Sequence, residues 1–198
     1  MPILKTTSGH DRSLAHVRRH LEGGDGDLVL AKDFINLCDR DDRGFDWAAQ
    51  MDELREVCGN NTKTYNGRPT LTYKHYSLYI DPRDDVALPQ LRELTVAWAE
   101  RWFVDYQVAI IYHDGNASCA IHSHIVVNNT SFEDGHRLSS DLSKKRVFQM
   151  NNALQEMALE RGLRAFSNNH MSLTKKEMAD LGRDVSTLGF EPDGEGGR

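Results

Sequence analysis

The sequence predicts a single α+β domain in which helices pack against a sheet that contains an antiparallel hairpin. Strand-like composition occurs at 70–80, 108–112 and 121–128, and segments with a helical apolar stripe lie before and after these runs. The length is a third observation, because 198 residues suffice for one sizeable core, or for one domain with a tail.

The first two helices are predicted from their caps and their apolar spacing. Residues 13–22 carry a short apolar stripe, with Ser13 as N-cap. Residues 25–44 are rich in acidic side chains, and we expect a connection there. Asp46 then caps a second helix that runs to Cys58. Both helices are expected to bury one face.

The later elements follow the same reasoning. Residues 70–80, rich in Thr, Tyr and Leu, predict a strand that ends at Asp81. A helix is predicted from Leu88 to Phe103, covering one face of the sheet, and another from Lys144 to Arg161. A capping box at 174–177 predicts a last helix, and the Gly-rich acidic residues 185–198 predict a disordered tail.

Three histidines gather at the predicted hairpin. His122 and His124 share one face of a strand, because alternate side chains point the same way, and the turn between the two strands brings His113 towards them. Three imidazoles on a rigid sheet predict a divalent-metal site with positions left for water or a substrate oxygen. A strand histidine is more often merely hydrogen-bonded, so spacing alone leaves both interpretations open.

The composition argues against a membrane-spanning protein and against a small disulfide-bonded one. No run of about 18 apolar residues and no apolar leader occur, which predicts a cytoplasmic protein without a membrane partner. Three cysteines without a C-x-x-C pair argue against a disulfide framework or a structural zinc site.

The net charge of −6 hides a segregation of charge along the chain. Acidic residues concentrate at 25–56, whereas basic residues form clusters elsewhere. These clusters fit a groove that follows a phosphate backbone or, equally, the solvated faces of ordinary helices. The basic residues predicted to bind DNA are Arg12, Arg18, Arg19, Lys74, Lys144, Lys145 and Arg146.

The order of these parts resembles the mobilisation relaxases of plasmids and integrative elements, the MobA/VirD type within the His-hydrophobe-His (HUH) endonucleases. Three segments carry the resemblance: 3–10, 73–76 and the hairpin 108–129, with Ser123 at the usually apolar middle position. It implies a relaxase domain at 1–165. The capping box then predicts a helical extension at 166–184, before the tail. The fold implied is a mostly antiparallel sheet flanked by helices.

The resemblance also implies an activity, namely metal-dependent nicking and religation of one DNA strand at a transfer origin, through a covalent 5′-phosphate intermediate that initiates conjugative mobilisation. His113, His122 and His124 would hold the metal, manganese or magnesium, with zinc left open. The partners implied are single-stranded DNA, accessory mobilisation proteins and a coupling protein. A metal hydrolase of small phosphoesters is a rival that leaves the basic N-terminal helix unexplained.

The chain departs from the family at the nucleophile. Relaxases typically use a tyrosine on the N-terminal helix, and His20 occupies that position here. His20 would attack as a neutral imidazole; alternatively, the position has lost activity and the chain is a catalytically impaired single-stranded DNA-binding module. Tyr65 is the best substitute nucleophile.

Two further residues are assigned supporting roles. His75 matches a strand position at which relaxases often carry a residue that orients the metal site or accepts the nucleophile's proton, with Asp81 as a competitor. Asn128 shares the face of His122 and His124 by parity and is expected to hydrogen-bond a ligand or the DNA.

Overall fold

The computed structural model describes residues 3–10, 13–23, 28–38, 45–61, 64–65, 68–80, 84–114, 121–138 and 142–163. The elements follow the order β1 (Ile3–Gly9), α1 (Ala15–Gly23), β2 (Val29–Ile35), α2 (Trp47–Val57), β3 (Thr64–Tyr65), β4 (Arg68–Pro69), β5 (Tyr73–Tyr79), α3 (Leu88–Trp102), β6 (Tyr106–His113), β7 (His122–Ser131) and α4 (Lys144–Glu160). The predicted helix at 174–177 and the tail lie outside the described residues.

Five strands form one sheet in the order β1-β5-β7-β6-β2, and every neighbouring pair is antiparallel. Strands β3 and β4 form a separate two-stranded sheet. The predicted class, an antiparallel sheet flanked by helices, is confirmed. Within the described part of the chain, no helix is both long and apolar enough to cross a bilayer.

The two faces of the sheet carry separate cores, as alternation along the strands requires. On one face, Ile125 and Val127 of β7 pack with α3 and α4. On the other face, Val126 packs with Ile111 and with the apolar sides of α1 and α2. We call these the α3/α4 face and the α1/α2 face.

Two strands of the five-stranded sheet were not predicted. The acidic connection expected at 25–44 contains β2, which pairs with β6. The N-terminal segment forms β1, an edge strand whose residues Lys5 to Ser8 are exposed. Polar and apolar residues alternate too weakly in both segments to predict a strand from the sequence. The segments become strands by pairing with β5 and β6.

Polar contacts fix α1 against α2. The backbone nitrogen of Leu14 donates to both carboxylate oxygens of Asp52 at 3.1 Å, just before the helix begins. At the other end of α1, Trp47 Nε1 donates to Glu22 at 2.9 Å. Because these bonds lie at both ends of α1, they fix its position relative to α2.

Candidate metal centre

The three predicted histidines meet at one end of the sheet, on the α1/α2 face. His113 is the last residue of β6 and lies directly opposite His122, the first residue of β7. One ring nitrogen from each of His113, His122 and His124 lies within 4.8 Å of the others. The ring centroids are 5.0 to 5.5 Å apart. The hairpin therefore assembles the set that was predicted from strand parity.

The residue between the paired histidines points the other way. Ser123 is fully buried on the α3/α4 face, with its hydroxyl 3.2 Å from the Thr95 hydroxyl of α3. This hydrogen bond satisfies a polar group where the family usually has an apolar side chain. The departure at Ser123 therefore leaves the histidine face unchanged.

The ring of His113 is oriented by the backbone of α1. Its Nε2 lies 2.7 Å from the Leu21 carbonyl oxygen, and since a carbonyl can only accept, Nε2 carries the proton. The other nitrogen, Nδ1, is buried and has no hydrogen-bond partner among the described residues. A neutral His113 thus has a lone pair on Nδ1 that is available to a metal ion.

His124 is oriented by a second histidine. Its Nδ1 lies 2.9 Å from His75 Nε2 and 3.2 Å from the hydroxyl of Ser77. When Nδ1 of His124 donates to His75, its Nε2 is left to bind a metal, and the proton of His75 resides on Nδ1, 3.5 Å from Thr7 Oγ1. His75 thus lies directly behind a candidate ligand.

The third ligand, His122, is packed against an aromatic ring. Tyr79 lies opposite His122 on β5, and the rings stack with centroids 5.1 Å apart and planes inclined by 16°. The ammonium group of Lys5, on β1, lies 5.0 Å from the centroid of the Tyr79 ring. Because β1 and β7 flank β5 on opposite sides, Tyr79 lies between Lys5 and His122.

Burial favours the neutral form of two histidines at the centre, His75 and His124. The pKa of His75 is lowered to about 4, first by burial and then by the charge of His20. The pKa of His124 falls to about 3, first through burial and then through the charges of the histidines around it. Neutral imidazoles present lone pairs near pH 7 without competition from protons.

This donor set fits a divalent cation. Three ring nitrogens lie close together, and two of the rings use their outer nitrogen in a hydrogen bond that fixes the tautomer. Three protein ligands leave coordination positions for water or a substrate oxygen. The predicted metal site therefore has the chemistry that it requires.

The structure places His20 beside this centre. His20 is exposed and lies in the last turn of α1. The next residue, Leu21, contacts His113 through its carbonyl, and the charge of His20 affects the pKa of both His75 and His124. Tyr65, the alternative nucleophile, falls in β3, and its side chain lies outside the described residues.

The predicted DNA-binding residues separate into two groups. Arg19 is exposed on α1 and makes no ion pair within the described residues, whereas Arg18 is engaged by Glu22 and Asp46. Arg12 lies outside the described residues. The remaining basic residues, Lys74, Lys144, Lys145 and Arg146, lie on the other side of the sheet.

The opposite placement of these four residues corrects the prediction. Lys74 is paired with Val127, a residue of the α3/α4 face, and donates to Ser8. Lys144 to Arg146 form the first turn of α4, where the guanidinium of Arg146 lies 5.9 Å from the ring centroid of Trp102. A groove at the histidines therefore cannot include them.

Asn128 is also corrected. It does share the face of the histidines, but it is fully buried. Its amide nitrogen donates to the Met51 carbonyl and to Gln107, and its oxygen accepts from the buried guanidinium of Arg55. Because its side chain is buried and hydrogen-bonded within the protein, Asn128 cannot contact DNA. Its hydrogen bonds instead connect α2 to β7. This use of Asn128 was not predicted, because the sequence does not show which residues of α2 meet the sheet.

Comparisons with known proteins give a family match and no curated relative. The family model for the MobA/VirD2-like relaxase nuclease domain matches residues 32–163, more than half of the chain. None of the curated proteins matches the chain.

Solved structures share the fold at low sequence identity. One, described as the molecular basis of vancomycin resistance transfer in Staphylococcus aureus, is 10% identical with a TM-score of 0.57, covering 83% of this chain and 96% of that one. The Mn-bound MobM relaxase domain with 22 nucleotides of plasmid pMV158 oriT DNA is 14% identical with a TM-score of 0.55, covering 90% and 98%. The corresponding 23-nucleotide complex gives a TM-score of 0.53, covering 93% and 99% at 14% identity.

Proposed function

The chain belongs to the relaxases of the MobA/VirD2-like nuclease family, and from that premise we propose that it nicks and rejoins one strand of DNA at the transfer origin of a mobile element. The observation that carries the proposal is the placement of His20 beside a three-histidine centre, on a helix whose backbone holds one of the three rings.

His113, His122 and His124 would hold a divalent cation, and the bound manganese of the MobM complexes favours manganese. When bound, such an ion neutralises charge that builds up on the scissile phosphate. The protein's part is to hold three oriented rings on rigid strands, so that the ion and the phosphate would meet in one place.

His20 would act as the nucleophile. A ring nitrogen attacks the phosphorus, a phosphorus–nitrogen bond forms to the 5′ phosphate, and the bond to the 3′ oxygen breaks. The attacking imidazole loses the proton on its other nitrogen, and the departing 3′ oxygen gains one. The strand is rejoined when the 3′ hydroxyl attacks the phosphoramidate and His20 is released.

His75 is proposed to position the centre. Of the two roles predicted for it, orientation of the metal site has the stronger support, because His75 Nε2 lies 2.9 Å from His124 Nδ1. A residue that fixes the tautomer of a ligand typically changes metal affinity by about 10- to 100-fold when it is removed.

The substrate proposed is single-stranded DNA, as in the oriT complexes of MobM. Arg19 neighbours His20 and is an exposed cation without an acidic partner among the described residues, so it would contact the phosphate backbone. Accessory mobilisation proteins, a coupling protein and the cytoplasmic location stay predictions.

A second function, that of a DNA-binding module without cleavage, is favoured by one observation. α1 contains no tyrosine, and His20 stands where the family usually has one. Such a module would bind the same DNA and the same metal.

Strand cleavage tests the proposal. The protein is incubated with manganese and a labelled single strand that spans the transfer origin of its own element, and the products are separated under denaturing conditions. We expect cleavage that His122→Ala abolishes and that His136→Ala, a matched change in an exposed turn after β7, leaves unchanged. Absence of cleavage, with cleavage gained by His20→Tyr, would instead establish the binding module.

A further inference from the structure

We propose that Lys5 binds the DNA phosphate next to the one that is cleaved, and that Tyr79 positions both Lys5 and the metal ligand His122. This inference rests on the proposed function and deepens it, because it assigns a phosphate subsite at the edge of the sheet that faces away from α1.

The register of the sheet places Lys5 on the face of the metal centre. Lys5 lies opposite Ser77 on β5, and Ser77 lies opposite His124 on β7. Directly opposed residues of an antiparallel pair share a face. Lys5, Ser77 and His124 therefore form one row across three neighbouring strands.

Lys5 and α1 lie on two sides of the centre. The sheet order is β1-β5-β7-β6, and α1 reaches the centre at β6, through the bond between Leu21 and His113. A DNA backbone that crosses the histidines from α1 would next meet β1. Lys5 is the cation that β1 presents there.

The charge of Lys5 is available to a ligand. Lys5 is exposed and forms no ion pair with any carboxylate among the described residues. Two other cations on this face are already neutralised, since Arg18 pairs with Glu22 and Asp46, and Lys32 pairs with Glu22. Phosphate is the ligand whose charge matches an exposed ammonium beside three histidines and a divalent ion.

Tyr79 connects this cation to the metal centre. Its ring stacks on His122 at a centroid distance of 5.1 Å and lies 5.0 Å from the Lys5 ammonium. An exposed lysine normally samples many rotamers, and a cation–π contact of about 0.5–1 kcal/mol restricts them. The same ring limits the rotation of His122, so one side chain positions both neighbours.

The test of Lys5 is the salt dependence of DNA binding. Affinity for the labelled origin strand is measured by fluorescence anisotropy over a series of salt concentrations, at fixed manganese, in a His20→Ala background that cannot cut. Each phosphate contact to a single strand contributes about 0.7 to the slope of log affinity against log salt. We expect Lys5→Gln to reduce the magnitude of the slope by about this amount. Lys5→Arg keeps the positive charge and should keep the slope of the parent protein.

The matched control is Lys145→Gln, an exposed lysine on α4 across the sheet, which should leave the slope unchanged. An unchanged slope in Lys5→Gln would overturn the assignment of Lys5. If the parent protein fails to bind the strand at all, the proposed function fails with it, so the two outcomes are distinguishable.

The test of Tyr79 has a second readout, the affinity for manganese measured by calorimetry without DNA. Tyr79→Leu is expected to lower manganese affinity about 10-fold, as loss of a residue that orients a ligand does, and to reduce the salt slope as Lys5→Gln does. Tyr79→Phe keeps the ring and should preserve both, and Lys5→Gln should preserve manganese affinity. Wild-type manganese affinity in Tyr79→Leu would overturn the positioning role.

Discussion

His113 Nε2 donates a hydrogen bond of 2.7 Å to the carbonyl oxygen of Leu21, the residue that follows His20. The helix that carries the proposed nucleophile therefore also orients a metal ligand. Because the same contact serves both, the docking of α1 and the binding of metal are coupled, and each should stabilise the other.

Leu21→Ala tests this coupling. Leu21 is buried, and the truncation should cost about 2–5 kcal/mol of unfolding free energy and loosen α1. We expect manganese affinity to fall as well, although no ligand is changed. Urea unfolding and calorimetry measure the two effects.

Leu154→Ala is the control for that experiment, since Leu154 is a buried leucine of α4 in the other core. It should lower stability over the same range and leave manganese affinity intact. Equal losses of manganese affinity in both variants would mean that general loosening, rather than α1, is responsible.

His75→Ala should weaken manganese binding about 10- to 100-fold while the fold is retained, because Nδ1 of His124 loses the closer of its two hydrogen-bond partners. Calorimetry measures the affinity, and His10→Ala, an exposed histidine after β1, is the control. Lost cleavage with normal manganese affinity would show that His75 serves the proton of His20 instead.

Gly9→Ala should destabilise the fold, because an added Cβ would lie 1.8 Å from the ring of Tyr73. Overpacking of this kind costs about 1–3 kcal/mol. Gly23→Ala adds a Cβ with nothing within 4 Å and should be neutral or slightly stabilising. Thermal unfolding compares the two, and equal melting temperatures would contradict the close contact.

Acid should weaken the docking of α1 through Glu22. Burial alone would raise the pKa of Glu22, but hydrogen bonds from Lys32, Trp47 and Arg18 outweigh it, so the pKa lies below its ordinary value. Its contribution is fully present above the unfolded pKa, about 4.3, and is lost as the pH falls through the lower folded pKa. The stability difference between the parent and Glu22→Gln should therefore shrink below about pH 4. A pH-independent difference would argue against these hydrogen bonds.

The histidine set was predictable because it depends on strand parity within one hairpin. The strands β1 and β2 were not predicted, since their exposed or mixed side chains become strand residues only by pairing. One interpretation of the basic residues was a single groove, yet Lys74 and Lys144 lie across the sheet from Arg19. Which face a residue occupies depends on pairings between distant segments, which the sequence alone does not give.

The same limit explains Lys5 and Tyr79. The sequence shows a lysine and a tyrosine at these positions, but predicting the contact between them requires the register of β1 against β5. Asn128 was placed on the correct face, and its burial depends on α2, through Met51 and Arg55.

The identity of the nucleophile is the central claim, and mass spectrometry of the DNA-linked peptide tests it most directly. The protein is incubated with manganese and its origin strand, stopped with detergent and digested. We predict an acid-labile adduct on His20 that is lost in His122→Ala. An adduct on Tyr65, or none in the parent and one in His20→Tyr, would contradict the account.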